Sequence, residues 1–257
     1  MKPTLHFQRF EFKYPMHKPT AEKIIPALLK YMSWDPFVSG RGDKSYLVNS
    51  LYFDNSGYGC YFEKESGEKF RKKFRLRVYE SEVKDDTNIF VEIKRKNNAL
   101  IIKDRVHLPA KDARRILVNN KLNSYVGQIS DDDMMVLKEF LWTKNYNCMM
   151  PRIMVAYRRK PLVAKTDRNV RVTFDYDIRA KLTNWFNCNN FAWKEVLPGS
   201  LILEIKYNNI LPFWLHEIIQ KYQLERVAFS KYCNAVRACM PQIDDGSGRD
   251  SGNYLGV

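Results

Sequence analysis

Arg71-Lys72-Lys73-Phe74-Arg75-Leu76-Arg77-Val78-Tyr79-Glu80 is the stretch on which the fold turns. A β-strand sends successive side chains to opposite sides, so a period of two sorts these residues cleanly. Arg71, Lys73, Arg75 and Arg77 share one face; Lys72, Phe74, Leu76 and Val78 share the other. The same alternation recurs along the chain. Arg9, Glu11 and Lys13 oppose Phe10, Phe12 and Tyr14, and Glu92 and Lys94 oppose Val91 and Ile93. Lys103 and Arg105 oppose Asp104 and Val106, Arg171 and Thr173 oppose Val172 and Phe174, and Glu204 and Lys206 oppose Leu203 and Ile205.

Outward from that stretch, period-two patterning predicts eight strands: Leu5–Tyr14, Tyr46–Asp54, Arg71–Glu80, Asn88–Lys96, Leu100–Leu108, Arg152–Lys160, Val170–Ile178 and Leu201–Tyr207. Asn97-Asn98 is a tight-turn signal that makes its flanking strands a hairpin. Helical patterns are expected at Thr20–Tyr31 with Thr20 as N-cap, at Ala110–Val118, at Asp131–Tyr146 capped by Ser130, and at Pro212–Tyr222. Pro26 casts the first as a single turn. Strands outnumber helices and follow one another directly. The expected class is therefore α+β, mainly β, with an eight-stranded antiparallel tunnel barrel and helices packed around it. Residues 1–241 read as one domain, and Gln242–Val257, rich in Asp, Gly and Ser, as a flexible C-terminal tail.

Composition narrows the function. The 257 residues carry 43 Lys+Arg against 29 Asp+Glu, a net charge of +14, and 45% are hydrophobic. That suffices for a sizeable core and points to an anionic partner. The start has no apolar leader pattern, and no apolar run approaches the ~18 residues needed to cross a bilayer, so no membrane span is expected. Five cysteines, odd in number and without a CxxC pair, suit a reducing, cytoplasmic setting better than a disulfide framework or zinc ribbon. His6, His17, His107 and His216 have no ligand spacing. GxSxG, GxxxxGK[ST] and GxGxxG are all missing, which removes hydrolase elbows and Gly-rich phosphate loops. Asp131-Asp132-Asp133, directly after Ser130, complements a helix dipole more readily than it binds metal.

A charged face on one strand ordinarily meets solvent. Six such faces on one curved sheet converge if the barrel closes, and a converging cationic lining repels itself unless an anion fills it. RNA would call for aromatics on the basic face for stacking. Here Phe10, Phe12, Phe74 and Phe174 lie opposite the basic residues, so nucleic acid is not an expected partner.

These segments resemble a known family. Glu11-Phe-Lys13-Tyr14, Ser50-Leu-Tyr52-Phe53-Asp54, Lys73-Phe-Arg75-Leu-Arg77, Phe90-Val-Glu92-Ile-Lys94, Lys103-Asp-Arg105, Tyr157-Arg-Arg159, Val170-Arg171-Val-Thr-Phe-Asp175, Leu203-Glu204-Ile-Lys206 and Phe229-Ser230-Lys231-Tyr232 stand in family order. The pattern is similar to the catalytic domain of the vacuolar transporter chaperone complex, a polyphosphate polymerase in the CYTH/triphosphate tunnel metalloenzyme superfamily. The resemblance implies a basic tunnel holding polyphosphate, and transfer of the ATP γ-phosphate to the growing chain with Mn²⁺ or Mg²⁺. Its basic lining positions fall on Lys13, Arg75, Arg77, Lys94, Lys103, Arg159 and Arg171, its metal-binding glutamate on Glu204, and its Ser-Lys pair on Ser230 and Lys231. The family pattern departs at Ala228, where eukaryotic members carry lysine. Without their regulatory and membrane-spanning modules, the chain looks like a free-standing bacterial version.

Around those positions, Arg105 and Lys206 add cations on the same strand faces. Glu11 and Glu92 either orient neighbouring lysines or support a metal, Lys206 is a candidate ion-pair partner of Glu204, and Tyr157 either hydrogen-bonds phosphate or packs in the wall. A triphosphatase in the same tunnel is the rival enzyme. It would be expected to carry more glutamates, and Arg9-x-Glu11-x-Lys13 puts a base where such hydrolases often have an acid. A passive polyphosphate-binding module is the non-enzymatic rival.

Overall fold

The computed structural model describes residues 9–97, 100–120, 129–186 and 192–243. Eight long strands build the wall: β1 (Arg9–His17), β3 (Tyr46–Asp54), β4 (Phe70–Val78), β5 (Asn88–Asn97), β6 (Leu100–Pro109), β7 (Met150–Ala164), β8 (Arg171–Leu182) and β10 (Ser200–Asn208). They form one continuous antiparallel path, in the order β1-β10-β8-β7-β3-β4-β5-β6. Two short strands lie off it, β2 (Met32–Trp34) beside β7 and β9 (Lys194–Glu195) beside β8. Among the described residues β1 and β6 share no ladder, so the sheet is curled and open along that seam. Side chains span the interior instead: Lys94 on β5 reaches Glu11 on β1 at 3.5 Å.

The register explains why the alternation read from sequence became a lining. Lys13 stands opposite Glu204, and Glu204 opposite Thr173. Arg159 stands opposite Asp175, Tyr52 opposite Arg75, and Glu92 lies between Arg75 and Arg105. Opposed residues point to the same side of a sheet, so these charged side chains share one face. The apolar faces point outward into two cores. In one, Leu51, Phe53, Phe74, Leu76 and Val91 pack with helical residues such as Leu137 and Phe140. In the other, Tyr14, Val172, Phe174, Leu203 and Ile205 pack with Ala21, Ile24, Leu28 and Leu215.

Those helices are α1 (Lys18–Leu29), α2 (Pro36–Ser39), α3 (Gly59–Glu65), α4 (Ala110–Ala113) continuing into a π turn at Arg114–Val118, α5 (Asp131–Tyr146), α6 (Phe213–Lys221) and α7 (Lys231–Cys239). Ser130 caps α5 as anticipated, accepting from the Asp133 N–H at 3.2 Å. The first helix differs from its reading. It starts at Lys18, directly off β1, so Thr20 lies within the first turn and caps nothing. It also runs through Pro26, because Ala21, Ile24 and Leu28 are buried while Pro26 faces solvent. Packing of the apolar stripe outweighs the one backbone bond that proline removes. The β5–β6 hairpin forms, with Asn97 opposite Leu100. Of the expected tail, Gln242 and Ile243 belong to a 3-10 turn at Pro241–Ile243, with Ile243 packed on the core; residues 244–257 lie outside the described residues. Among the described residues no helix is long and apolar enough to cross a membrane.

Candidate anion-binding tunnel

Two groups of charges dominate the inner face. The first centres on Glu92, which is wholly buried on β5. Arg75 Nε lies 2.6 Å from Glu92 Oε2, and Lys103 Nζ and Arg105 Nη2 each lie 2.6 Å from Oε1. Arg77 stands 4.0 Å away and donates from Nε to Ser50 Oγ at 3.0 Å. Burial alone would raise the Glu92 carboxyl, but Arg75, Arg77 and Lys103 outweigh it and hold the group firmly ionised. One carboxylate cannot neutralise four cations. The surplus shows in Lys103, whose pKa is pushed down to about 7 by burial and by Arg75 and Arg77, against the pull of Glu92. Burial likewise lowers Lys94 to about 8, with Lys13 and Arg75 adding to it against Glu11.

The second group joins β7, β8, β10 and α7. Arg159 grips Asp175 with both prongs, at 2.6 and 2.8 Å, and reaches Glu204 Oε2 at 3.0 Å. Lys231, the first residue of α7, lies 2.6 Å from Asp175 Oδ2, an oxygen it shares with Arg159 Nη2, and Lys206 lies 3.4 Å from Glu204 Oε2. An irregularity sets this up: the β7–β8 register shifts between Ala156 and Arg158, with Asp177 at φ 50°. Such a bulge re-aims neighbouring side chains, here those of Tyr157, Arg159 and Asp175. Burial opposes the charge on Glu204, yet Lys206, Lys231 and Arg159 hold its carboxyl well below the usual range. Asp175 is lowered for the same reason, by Arg159 and Lys231.

Tyr157 links the groups. Its hydroxyl accepts from Arg77 at 3.5 Å, while Lys231 and Arg159 sit over its ring at 4.9 and 5.4 Å. Lys13 bonds Glu11 at 3.1 Å and the Phe229 carbonyl at 2.9 Å. Ser230 Oγ caps α7, accepting from the Cys233 N–H at 3.3 Å. Of the residues singled out from sequence, Arg171 alone stands apart. It is exposed at the start of β8, in register with Lys206, and forms no ion pair among the described residues.

The sequence reading passed over three members of the wall. Asp175 was quoted within a motif but given no part, yet it is fully buried and holds Arg159 and Lys231. Tyr52 accepts from Arg75 at 3.0 Å, and its hydroxyl is lowered to about 8: burial raises it, while Arg75 and Arg77 more than reverse that. Lys73 donates to Ser230 Oγ at 2.9 Å. For Asp175 a signal existed: a lone acid two residues beyond Thr173 on a basic strand face.

Nearly all of this framework is covered by one family model, that of the VTC domain, which matches residues 8–240. The chain belongs to the VTC domain family. No curated protein matches it. Two solved structures share the fold. A putative adenylate cyclase from Bacillus halodurans is 13% identical with a TM-score of 0.50, over 87% of this chain and 95% of that one. A putative adenylyl cyclase from Hippeastrum, described as having a dominant triphosphatase activity, is 14% identical with a TM-score of 0.50, over 91% and 98%. At that identity the likeness is one of fold. The VTC domain here thus presents a curled, tunnel-type sheet on whose inner face Lys13, Lys73, Arg75, Arg77, Lys94, Lys103, Arg105, Arg159, Lys206 and Lys231 gather around Glu11, Glu92, Asp175 and Glu204.

Proposed function

We propose that this VTC domain is a phosphotransferase that moves the γ-phosphate of ATP onto a polyphosphate chain held in the tunnel. The observation that carries the reading is the surplus of converging cations around Glu92, which a polyanion would relieve. Phosphoryl transfer asks little covalent chemistry of a protein; it asks for in-line positioning and for neutralisation of the equatorial oxygens. Arg75 and Arg77 suit bidentate grip on phosphate oxygens, while Lys13, Lys94, Lys103 and Lys206 serve as point charges. Arg105 is held by Glu92 and stacked on the Phe90 ring at 4.6 Å, which fixes its fork. Arg159 and Lys231, oriented by Asp175, stand on the opposite wall to meet the transferring group. Tyr157, between them and Arg77, can donate its proton to a phosphate oxygen. Glu11 and Glu92 act by orienting Lys13, Lys94, Arg75 and Lys103.

The residues present fit a divalent cation completed by phosphate oxygens. Both contacts of Glu204 fall on Oε2, so Oε1 has no partner among the described residues. Opposite it in register, Thr173 Oγ1 is buried without a hydrogen bond. Among the described residues no cluster of three or more ligating side chains exists, which suits a hard ion bound through one carboxylate plus substrate. Glu204, with Thr173, would hold Mg²⁺ or Mn²⁺. When bound, the ion neutralises charge developing between the donor and acceptor phosphates.

Hydrolysis of a triphosphate is the second reading, favoured by the activity described for the Hippeastrum neighbour. Against it, Glu11, Glu92, Asp175 and Glu204 are each paired with cations, which weakens them as bases toward water. Incubation with ATP and Mn²⁺, followed by electrophoresis of the products, decides. Long-chain polyphosphate supports transfer, free phosphate alone means hydrolysis, and tight polyphosphate binding without turnover means a passive module.

A further inference from the structure

Lys73 lies on the inward face of β4, two residues before Arg75, and its surroundings differ from those of the other tunnel lysines. Lys13, Lys94, Lys103, Lys206 and Lys231 each have a carboxylate oxygen within 4.0 Å. Lys73 has none among the described residues. Its ammonium meets neutral groups only: Ser230 Oγ at 2.9 Å, Cys233 Sγ at 3.7 Å, and the face of Tyr232 at 5.3 Å. A half-buried ammonium has three donors, and these contacts leave one of them to offer.

The second observation concerns Ser230. Its oxygen accepts from both Lys73 and the Cys233 N–H, which occupies its two lone pairs. Its own proton can therefore only be donated, and among the described residues no acceptor receives it. A spare ammonium donor and a spare hydroxyl donor thus stand side by side at the junction of β4 and α7. Two adjacent donors, with no carboxylate within 4.0 Å of the ammonium among the described residues, are complementary to a phosphate oxygen.

We propose that Lys73, together with the Ser230 hydroxyl, forms a further phosphate subsite that extends the tunnel's grip past Arg75 along β4. The proposal rests on the reading of the tunnel as a polyphosphate site and adds one contact to it. Lys73 contributes affinity for the chain at this end and no chemistry.

The test is calorimetric titration of tripolyphosphate at several salt concentrations into the wild type, Lys73→Met, Lys73→Arg and, as control, Lys72→Ala, whose side chain faces outward and pairs with Glu139. The loss of one charge-assisted contact should weaken binding by about tenfold in Lys73→Met and flatten its salt dependence. Lys73→Arg should stay within about threefold of wild type, since the charge is kept. Lys72→Ala should bind as wild type does. Because removal of Lys73 could loosen α7, the wild type supplies a second measurement: tripolyphosphate should slow labelling of Lys73 by an amine-reactive reagent, read by mass spectrometry. Unchanged affinity and salt dependence in Lys73→Met, or equal labelling of Lys73 with and without tripolyphosphate, would overturn the subsite. If Arg75→Ala still abolishes binding in that case, the tunnel reading survives. A wild type that binds no tripolyphosphate removes both.

Discussion

The Glu92 group and the Asp175/Glu204 group line the same sheet, yet they are balanced differently. Glu92 alone faces Arg75, Arg77, Lys103 and Arg105, and the last two side chains are 34% and 38% exposed. Asp175 and Glu204 together face Arg159, Lys206 and Lys231, with Arg159 and Lys231 only 12% and 10% exposed. The first group is over-charged and open to solvent, as a site must be that accepts an anion from outside. The second is nearly neutral and enclosed; its carboxylates set the geometry of cations that cannot adjust themselves. Burial without compensation is costly, so the charge surplus sits where solvent or substrate can reach it.

The comparison breaks most visibly at Asp175. Asp175→Asn leaves Arg159 and Lys231 buried without their common anion and should cost about 3–5 kcal/mol. Urea unfolding measures it. Tripolyphosphate should restore little of that loss, whereas the milder loss in Glu92→Gln should be largely recovered, since phosphate can take the place of Glu92 among exposed cations. Equal recovery in both variants would show that the two groups do not differ in access.

Next in size is the double variant Arg75→Ala plus Arg77→Ala. Tripolyphosphate at 100-fold over its Kd should stabilise the wild type by about 2.7 kcal/mol. Thermal melts of the double variant should show no such shift, and a full shift would remove phosphate contact from this pair. Glu204→Gln addresses the other group. Metal-dependent transfer from ATP should fall by at least about 10²-fold, some 2.7 kcal/mol at the transition state. Tripolyphosphate affinity should stay level or rise, because a negative charge has left a cationic interior. Undiminished turnover would leave Glu204 a partner of Arg159 and nothing more.

A smaller effect distinguishes the groups by pH. Lys103 and Lys94, lowered to about 7 and 8, lose their protons as pH rises from 6 to 9. Tripolyphosphate affinity should then fall by about tenfold, the size of one charged contact, and Lys103→Arg should flatten the profile. Stability of the free protein should move oppositely. These folded values lie below the ordinary 10.5, so above pH 7 the unfolded chain binds more protons and the ligand-free protein gains stability with rising pH. Arg171→Ala closes the series. An exposed cation with no ion pair among the described residues is well screened, so titration should show affinity lowered by no more than about threefold.

Much of this wall was legible from the residues. The alternation in Arg71–Val78 needs only a strand for Arg75 and Arg77 to share a side, and apolar Phe74, Leu76 and Val78 can satisfy themselves only by turning to a core. Tyr46–Asp54 kept its expected bounds as a strand although both of its faces are buried, Leu51 and Phe53 in a core and Ser50 and Tyr52 against Arg77 and Arg75. Of two nine-residue helices, α6 was legible and α7 was not; α7 exists because Tyr232, Cys233 and Val236 find a core to bury against.

Sequence by itself therefore determined the charge, the alternation and which side chains would travel together. Tertiary structure alone decided who faces whom. Arg159 is 16 residues from Asp175 and 45 from Glu204, and Lys73 is 157 from Ser230. No local pattern encodes such pairings; register, one bulge beside Tyr157, and the docking of α7 create them. The physical reason is one of range. Backbone sterics and side-chain alternation act over two to four residues, whereas a carboxylate's state depends on whatever cations the fold brings within a few ångströms.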